Sequence, residues 1–194
     1  MPWLLGCLPP REPELLDYFF TVLGKALYVS NAFEFRCREL LGFARFANAC
    51  QLTGDFDATV QLVAAMKEQM LARTLAGLDN AMPIKPEDIE LLERSKNARN
   101  FIAHEGGRIG HIWSATEQDI NAQLELLRVE VKALAEGDNV VSGWQYGIQN
   151  KESAPSGTCE LYPAALEEWI FGGPACFDFA RIWWNMGQLS PSDS

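Results

Sequence analysis

Apolar residues recur every three or four positions along the first part of the chain: Leu15, Leu16, Phe19, Val22, Leu23, Ala26 and Leu27, then Phe33, Leu40, Leu41, Ala44 and Ala47. That is the period of one buried face of an α-helix. The pattern predicts either one helix bent near Gly24 or Ser30-Asn31, or two helices in succession, broken at "LTGDF" (52–56). A second helix is expected from about Asp55 to Leu75 on Val60, Val63, Met66, Met70 and Leu75, with Gly77 as its C-terminal glycine. "LDNAMP" then reads as a loop. Pro86 is suited to the first position of the next helix, and Glu87 and Asp88 to its positive end. That helix carries Ile89, Leu92, Ala98 and Ile102 and is expected to end at Gly106-Gly107. Ser114-Ala-Thr-Glu117 has the spacing of a capping box. It opens a fourth helix on Ile120, Leu124, Leu127, Val131 and Leu134, which Gly137 is expected to close.

Beyond Gly137 the periodicity weakens while Trp, Gly and Pro accumulate. "NVVSGWQYGIQ" reads as a short strand or hairpin, and "PAALEEWIFG" and "ACFDFARIWWNMG" as short helices. The terminal "LSPSDS" has the composition of a disordered end. The aromatic cluster Trp169, Phe171, Phe177, Phe179, Trp183 and Trp184 sits in acidic to neutral surroundings, which favours packing over base stacking. The expected fold is all-α: an antiparallel up-and-down bundle of four main helices with an aromatic-rich C-terminal extension. Residues 1–11 form a leader, 12–137 the bundle, and 138–194 the extension, packed on the bundle or on a partner.

Composition narrows this picture. With 194 residues and 48% hydrophobic content, the chain can bury a substantial core. No apolar run approaches the roughly 20 residues of a membrane span. "LLGC" at 4–7 resembles a lipoprotein box, but it lacks the basic start and the apolar stretch of a signal peptide. A cytoplasmic location without membrane attachment is therefore expected. Five scattered cysteines without a C-x-x-C pair are expected to be reduced structural thiols, with no metal site and no cofactor.

The net charge of −10 argues against broad, sequence-independent nucleic-acid binding. The charge is uneven, however. Between Arg94 and His111, four cations (Arg94, Lys96, Arg99, Arg108) face Glu105 alone, a local +3 against −13 elsewhere. This island contains "NARNFIAHEGG", residues 97–107, with one of the two histidines of the chain.

Arg99, Asn100 and His104 in that stretch suit phosphodiester chemistry. The Arg fork binds phosphate, His exchanges a proton near neutral pH, and Asn orients either partner. Together they suit cleavage through a ribose 2′-hydroxyl without metal. The spacing qualifies this. Five residues along a regular helix turn about 140° and rise about 7.5 Å, so the two side chains do not share a face. Either the helix end loosens at Gly106-Gly107, or two copies each present the pair to a shared cleft.

Arg99-Asn100-Phe-Ile-Ala-His104, with a polar residue after the Arg, resembles the R-x4–6-H motif of the HEPN superfamily. The resemblance covers about residues 12–136. It implies a small all-helical bundle and a metal-independent ribonuclease of toxin–antitoxin or phage-defence type, usually dimeric with a composite site. Carried over, Arg99 and His104 are catalytic and Asn100 supports them. RNA is then the substrate, a second copy the partner, and an antitoxin protein a further one.

Around this core, Arg94, Lys96 and Arg108 are candidates for RNA phosphates, and Glu105 and His111 for auxiliary roles. Glu34 and Arg38 have the i,i+4 spacing of a surface ion pair; the alternative turns Glu34 inward to face Arg99. Three other readings compete with the ribonuclease. The first is a structural helix-end salt bridge or cap, the dipole alone favouring His there. The others are a non-catalytic RNA- or protein-binding bundle and a nucleotide-binding helical module.

Overall fold

The computed structural model describes residues 9–53 and 71–172, with side chains from 9–48 and 71–172. Among these residues the chain is all-helical and contains no strand. The helices are α1 (Pro13–Thr53), α2 (Leu71–Ala81), α3 (Pro86–His104), α4 (Glu117–Asn150) and α5 (Ser156–Phe171). No described helix is long and apolar enough to cross a membrane.

α1 is one continuous helix of 41 residues, about 60 Å long. Pro13 opens it with Glu14 in its first turn. Leu16, Phe19, Val22, Ala26, Val29, Phe33, Cys37, Leu40 and Leu41 are buried along one face, as the periodicity requires. Leu52 and Thr53 of the expected break at "LTGDF" are still helical, and the rest of that stretch lies outside the described residues.

α3 starts at Pro86 as expected and stays helical to His104. Its buried stripe, Leu92, Ser95, Ala98 and Ile102, faces α4 and α1. α4 runs antiparallel to α3. Ser95 Oγ donates to the Ala133 carbonyl at 2.8 Å, while Gln123, ten residues earlier on α4, reaches the C-terminal end of α3. α5 folds back on α4, with Asn139 opposite Cys159 and Arg128 opposite Glu167.

Four sequence expectations need correction. First, Gly137 does not end a helix: α4 continues to Asn150, so 138–150 is helical rather than a strand or hairpin. The expected boundary at 137–138 thus falls inside one helix. Gly137 is there because α3 crosses at that point. A Cβ on it would lie 2.0 Å from Ser95 Oγ and 2.5 Å from Ser95 Cβ.

Second, Gly77 lies inside α2 rather than after it, so residues 78–81 of the expected loop "LDNAMP" are helical, and a Cβ at Gly77 would meet Leu41 Cδ2 at 2.9 Å. Both glycines permit close helix approach; neither is a stop. The expected helix of 55–75 otherwise falls largely outside the described residues.

Third, the cap of α4 is two residues later than read. Thr116 is the N-cap and accepts from the Asp119 backbone N–H at 3.2 Å, while Asp119 Oδ2 accepts from the Thr116 backbone N–H at 2.9 Å. Ser114 belongs to the preceding turn, its Oγ donating to the His111 carbonyl.

Fourth, α5 is longer than the helix expected at "PAALEEWIFG" and carries Pro163 in its interior. Proline has no N–H for the carbonyl four residues back, that of Cys159. Asn139 of α4 supplies the missing donor, with Nδ2 2.7 Å from that oxygen. Gly172, at φ 80°, then closes α5 in a left-handed turn.

Of the aromatic cluster, Trp169 and Phe171 lie within the described residues. Lys25 sits 5.4 Å from the centre of the Trp169 ring, and Arg128 4.2 Å from that of Phe171. The Tyr18 hydroxyl donates to the Phe171 carbonyl at 3.0 Å. These contacts tie the end of α5 to α1 and α4. Phe177, Phe179, Trp183, Trp184 and the terminal "LSPSDS" lie outside the described residues, as does the leader through residue 8.

Candidate functional site

Arg99 occupies the face of α3 turned toward α1. Its Nη2 forms an ion pair with Glu34 Oε2, and the same carboxylate receives Arg38 through Oε1. Glu34 therefore makes both contacts that the sequence posed as alternatives. Its side chain is 10% exposed and that of Arg99 20%, so the pair is largely withdrawn from water. Arg99 Nη1 lies 3.3 Å from Asn100 Oδ1, while its Nε–H is buried without a partner. An unsatisfied buried donor is costly, and Glu34 compensates by fixing the charged end.

His104 is the last residue of α3 and is exposed. The backbone beyond it turns in a compact way. The N–H groups of Glu105 and Gly106 both reach the Phe101 carbonyl, at 2.7 and 2.8 Å. Gln123 Nε2 from α4 donates to the carbonyls of Glu105 and Gly106, each at 3.0 Å. Gly106 admits no side chain, since a Cβ would lie 2.7 Å from the Ile102 carbonyl oxygen. The end of α3 is thus clamped rather than loosened. Because α3 is regular through His104, the offset of about 140° between Arg99 and His104 stands within one chain.

The basic island is less basic than its composition. Arg94 lies 3.9 Å from Glu136, Lys96 pairs with Glu93, Arg99 with Glu34, and Arg108 lies 3.5 Å from Glu105. Three of these carboxylates come from outside the 94–111 window, which is why counting along the sequence overstated the local charge. The Arg108–Glu105 pair is the most open, with side chains 70% and 51% exposed, and exposed pairs of this kind hold weakly.

His111 follows on the loop between α3 and α4. Its ring stacks on Trp113 with centroids 4.8 Å apart and planes at 12°. The loop and the start of α4 enclose an open pocket of about 490 Å³, lined by Arg108, His111, Ser114, Asp119 and Gln123 among others. Hydrogen bonds from Thr116 hold the Asp119 carboxyl below its ordinary range, so it stays ionised.

Sequence reading missed a second polar cluster. Arg36 on α1 grips Asp138 on α4 with Nε and Nη2, and the Tyr162 hydroxyl of α5 donates to Asp138 Oδ2. Asp138 is fully buried. Burial, reinforced by the Asp138 charge and hydrogen bond, pushes the Tyr162 hydroxyl well up. Burial followed by the same charge does so for the neighbouring Cys37 thiol. The signal was present: Val131, Leu134, Asp138 and Val141 continue the buried stripe of α4, and a carboxylate on such a stripe requires a cation. Reading Gly137 as a helix end concealed it. The cluster pins α1, α4 and α5 together.

Comparison with protein-family models, with curated proteins and with solved structures found no match for this chain.

Proposed function

We propose that this chain is a HEPN-type endoribonuclease of the toxin or phage-defence class, which cleaves RNA through the ribose 2′-hydroxyl without a metal. The observation that carries the reading is the state of Arg99. A guanidinium is anchored on α3 by a buried carboxylate of another helix, five residues before an exposed histidine that ends the same helix. The structural reading, a helix-end salt bridge, accounts for the same ion pair, so the two readings part at His104 and at cleavage.

In this reading α1, α2, α3 and α4 form the four-helix antiparallel bundle, with the aromatic segment as its extension. His104 acts as general acid and base, and Arg99 binds the scissile phosphate. Asn100 orients the guanidinium, and Glu34 holds it. The 2′-oxygen attacks phosphorus as its proton leaves, the bond to the 5′-oxygen breaks, and that oxygen takes a proton. The products are a 2′,3′-cyclic phosphate, or a 3′-phosphate after hydrolysis, and a 5′-hydroxyl. Because α3 stays helical through His104, the site is completed by a second copy, and a twofold dimer has two such clefts, each with Arg99 of one chain and His104 of the other. Arg94, Lys96 and Arg108 guide RNA to it, each exchanging a carboxylate for a phosphate. Glu105 and His111 flank it. The protein acts in the cytoplasm, and an antitoxin protein is the expected restraint.

A second reading is favoured by the same ion pair. Glu34 already neutralises Arg99, and the chain carries −10. A non-catalytic bundle that binds RNA or a protein partner is compatible with both facts. One experiment separates the two readings. Pure protein is incubated with end-labelled single-stranded RNA in EDTA, beside the His104→Ala variant. The ribonuclease reading requires cleavage with cyclic-phosphate ends that the variant loses by at least about 100-fold. Equal cutting by both proteins, or by neither, rejects it.

A further inference from the structure

The pocket between α3 and α4 is not accounted for by the roles of Arg99 and His104. It is about 490 Å³ in volume, within the range of roughly 300–1,000 Å³ typical of small-ligand sites. Its lining is chemically asymmetric. Arg108 offers an exposed guanidinium, held only by the open contact of 3.5 Å with Glu105. Asp119 lines the same pocket, and its negative charge repels phosphate there. His111 lines it too, and its ring stacks at 4.8 Å on that of Trp113, which does not line the pocket.

An anion is therefore directed to Arg108, and a flat aromatic group to the imidazole that Trp113 backs. A nucleotide carries both groups. The floor is rigid, since Gln123 clamps the Glu105 and Gly106 carbonyls and the Thr116–Asp119 capping box fixes the start of α4.

We propose that this pocket is a single-nucleotide subsite for RNA, with Arg108 on a phosphate and a base stacked on His111. The inference rests on the ribonuclease reading only for the identity of the polymer, since the site recognises a ribonucleotide unit whether or not the chain is cut.

The chain has two histidines, so the full-length, untagged His104→Ala protein has one left, and its ring C–H resonance reports on His111 alone. That resonance is followed by NMR during titration with a single-stranded ribotetranucleotide, with adenosine 5′-monophosphate and with inorganic phosphate. A saturable shift with the tetranucleotide is expected. The mononucleotide should give the same shift at higher concentration, and phosphate alone little. Arg108→Ala should weaken tetranucleotide binding by roughly fivefold or more. Trp113→Leu should reduce the shift; should that protein not fold, the Arg108→Ala titration decides. No movement with either nucleotide overturns the proposal, as does an equal shift with phosphate alone. Cleavage by the wild type with His111 unmoved sinks the subsite and leaves the ribonuclease. Movement of His111 without cleavage does the reverse.

Discussion

Glu34 and Arg99 are 65 residues apart in sequence and joined in a largely buried ion pair between α1 and α3. The carboxylate also holds Arg38. The geometry fixes the guanidinium of Arg99 and makes the packing of α1 on α3 depend on charge.

A double-mutant cycle measures that dependence. Glu34→Ala leaves Arg99 half-buried without its carboxylate, and Arg99→Ala leaves Glu34 with Arg38 alone. Each should destabilise the fold, and the pair should couple by about 1–3 kcal/mol in urea unfolding. Additive single losses would show that the two residues do not interact in solution.

The crossing of α3 and α4 at Ser95 and Gly137 leaves no room for a methyl group. Gly137→Ala forces Ser95 away from the Leu91 and Ala133 carbonyls it bonds at 2.9 and 2.8 Å. The expected cost is about 1–3 kcal/mol. Gly143→Ala is the control: it lies on the same helix, and a Cβ there meets nothing within 4 Å. It should be neutral or stabilise by about 0.5–1 kcal/mol. Thermal melts of the two variants must therefore move apart; equal behaviour would refute the close crossing.

Alkaline pH should loosen the junction of α1, α4 and α5. Cys37 and Tyr162 both have their ionisation raised in the folded protein, from ordinary values of 9.0 and 10.0. The folded state favours their protonated forms. The stability they contribute is complete below the ordinary values and is lost as pH rises above them toward the folded values. Between about pH 9 and pH 10.5 the urea midpoint should fall, with Cys37 contributing about 1 kcal/mol per pH unit. Cys37→Ala and Tyr162→Phe should each flatten the slope. A slope that neither substitution changes would remove both groups from the account.

What the sequence made legible was what periodicity encodes. The buried faces of α1 and α3 follow from the spacing of Phe19, Val22, Ala26 and Phe33, and of Leu92, Ala98 and Ile102. Pro86 marked the start of α3 correctly because its fixed φ suits the first helical turn. Glycine misled in two places. Gly77 and Gly137 look like helix ends in one dimension, but each answers a neighbouring helix that only packing reveals. The same error hid Asp138, which is recognisable as a buried carboxylate only once α4 is known to continue. At the candidate site, the residue types and the 140° offset were legible. Glu34 was legible as a possible partner of Arg99, but Glu93 and Glu136 were not read as partners of Lys96 and Arg94, because they come from outside the basic stretch.

The central claim is a site shared between two chains, and mixing two inactive proteins tests it most directly. Arg99→Ala and His104→Ala proteins are each inactive in this account. Mixed and re-equilibrated, half of the dimers pair one of each, and one of their two clefts contains both an intact Arg99 and an intact His104. RNA cleavage in EDTA should return to about a quarter of the wild-type rate at equal concentrations. A mixture as inactive as its components, beside an active wild type, would contradict the shared site.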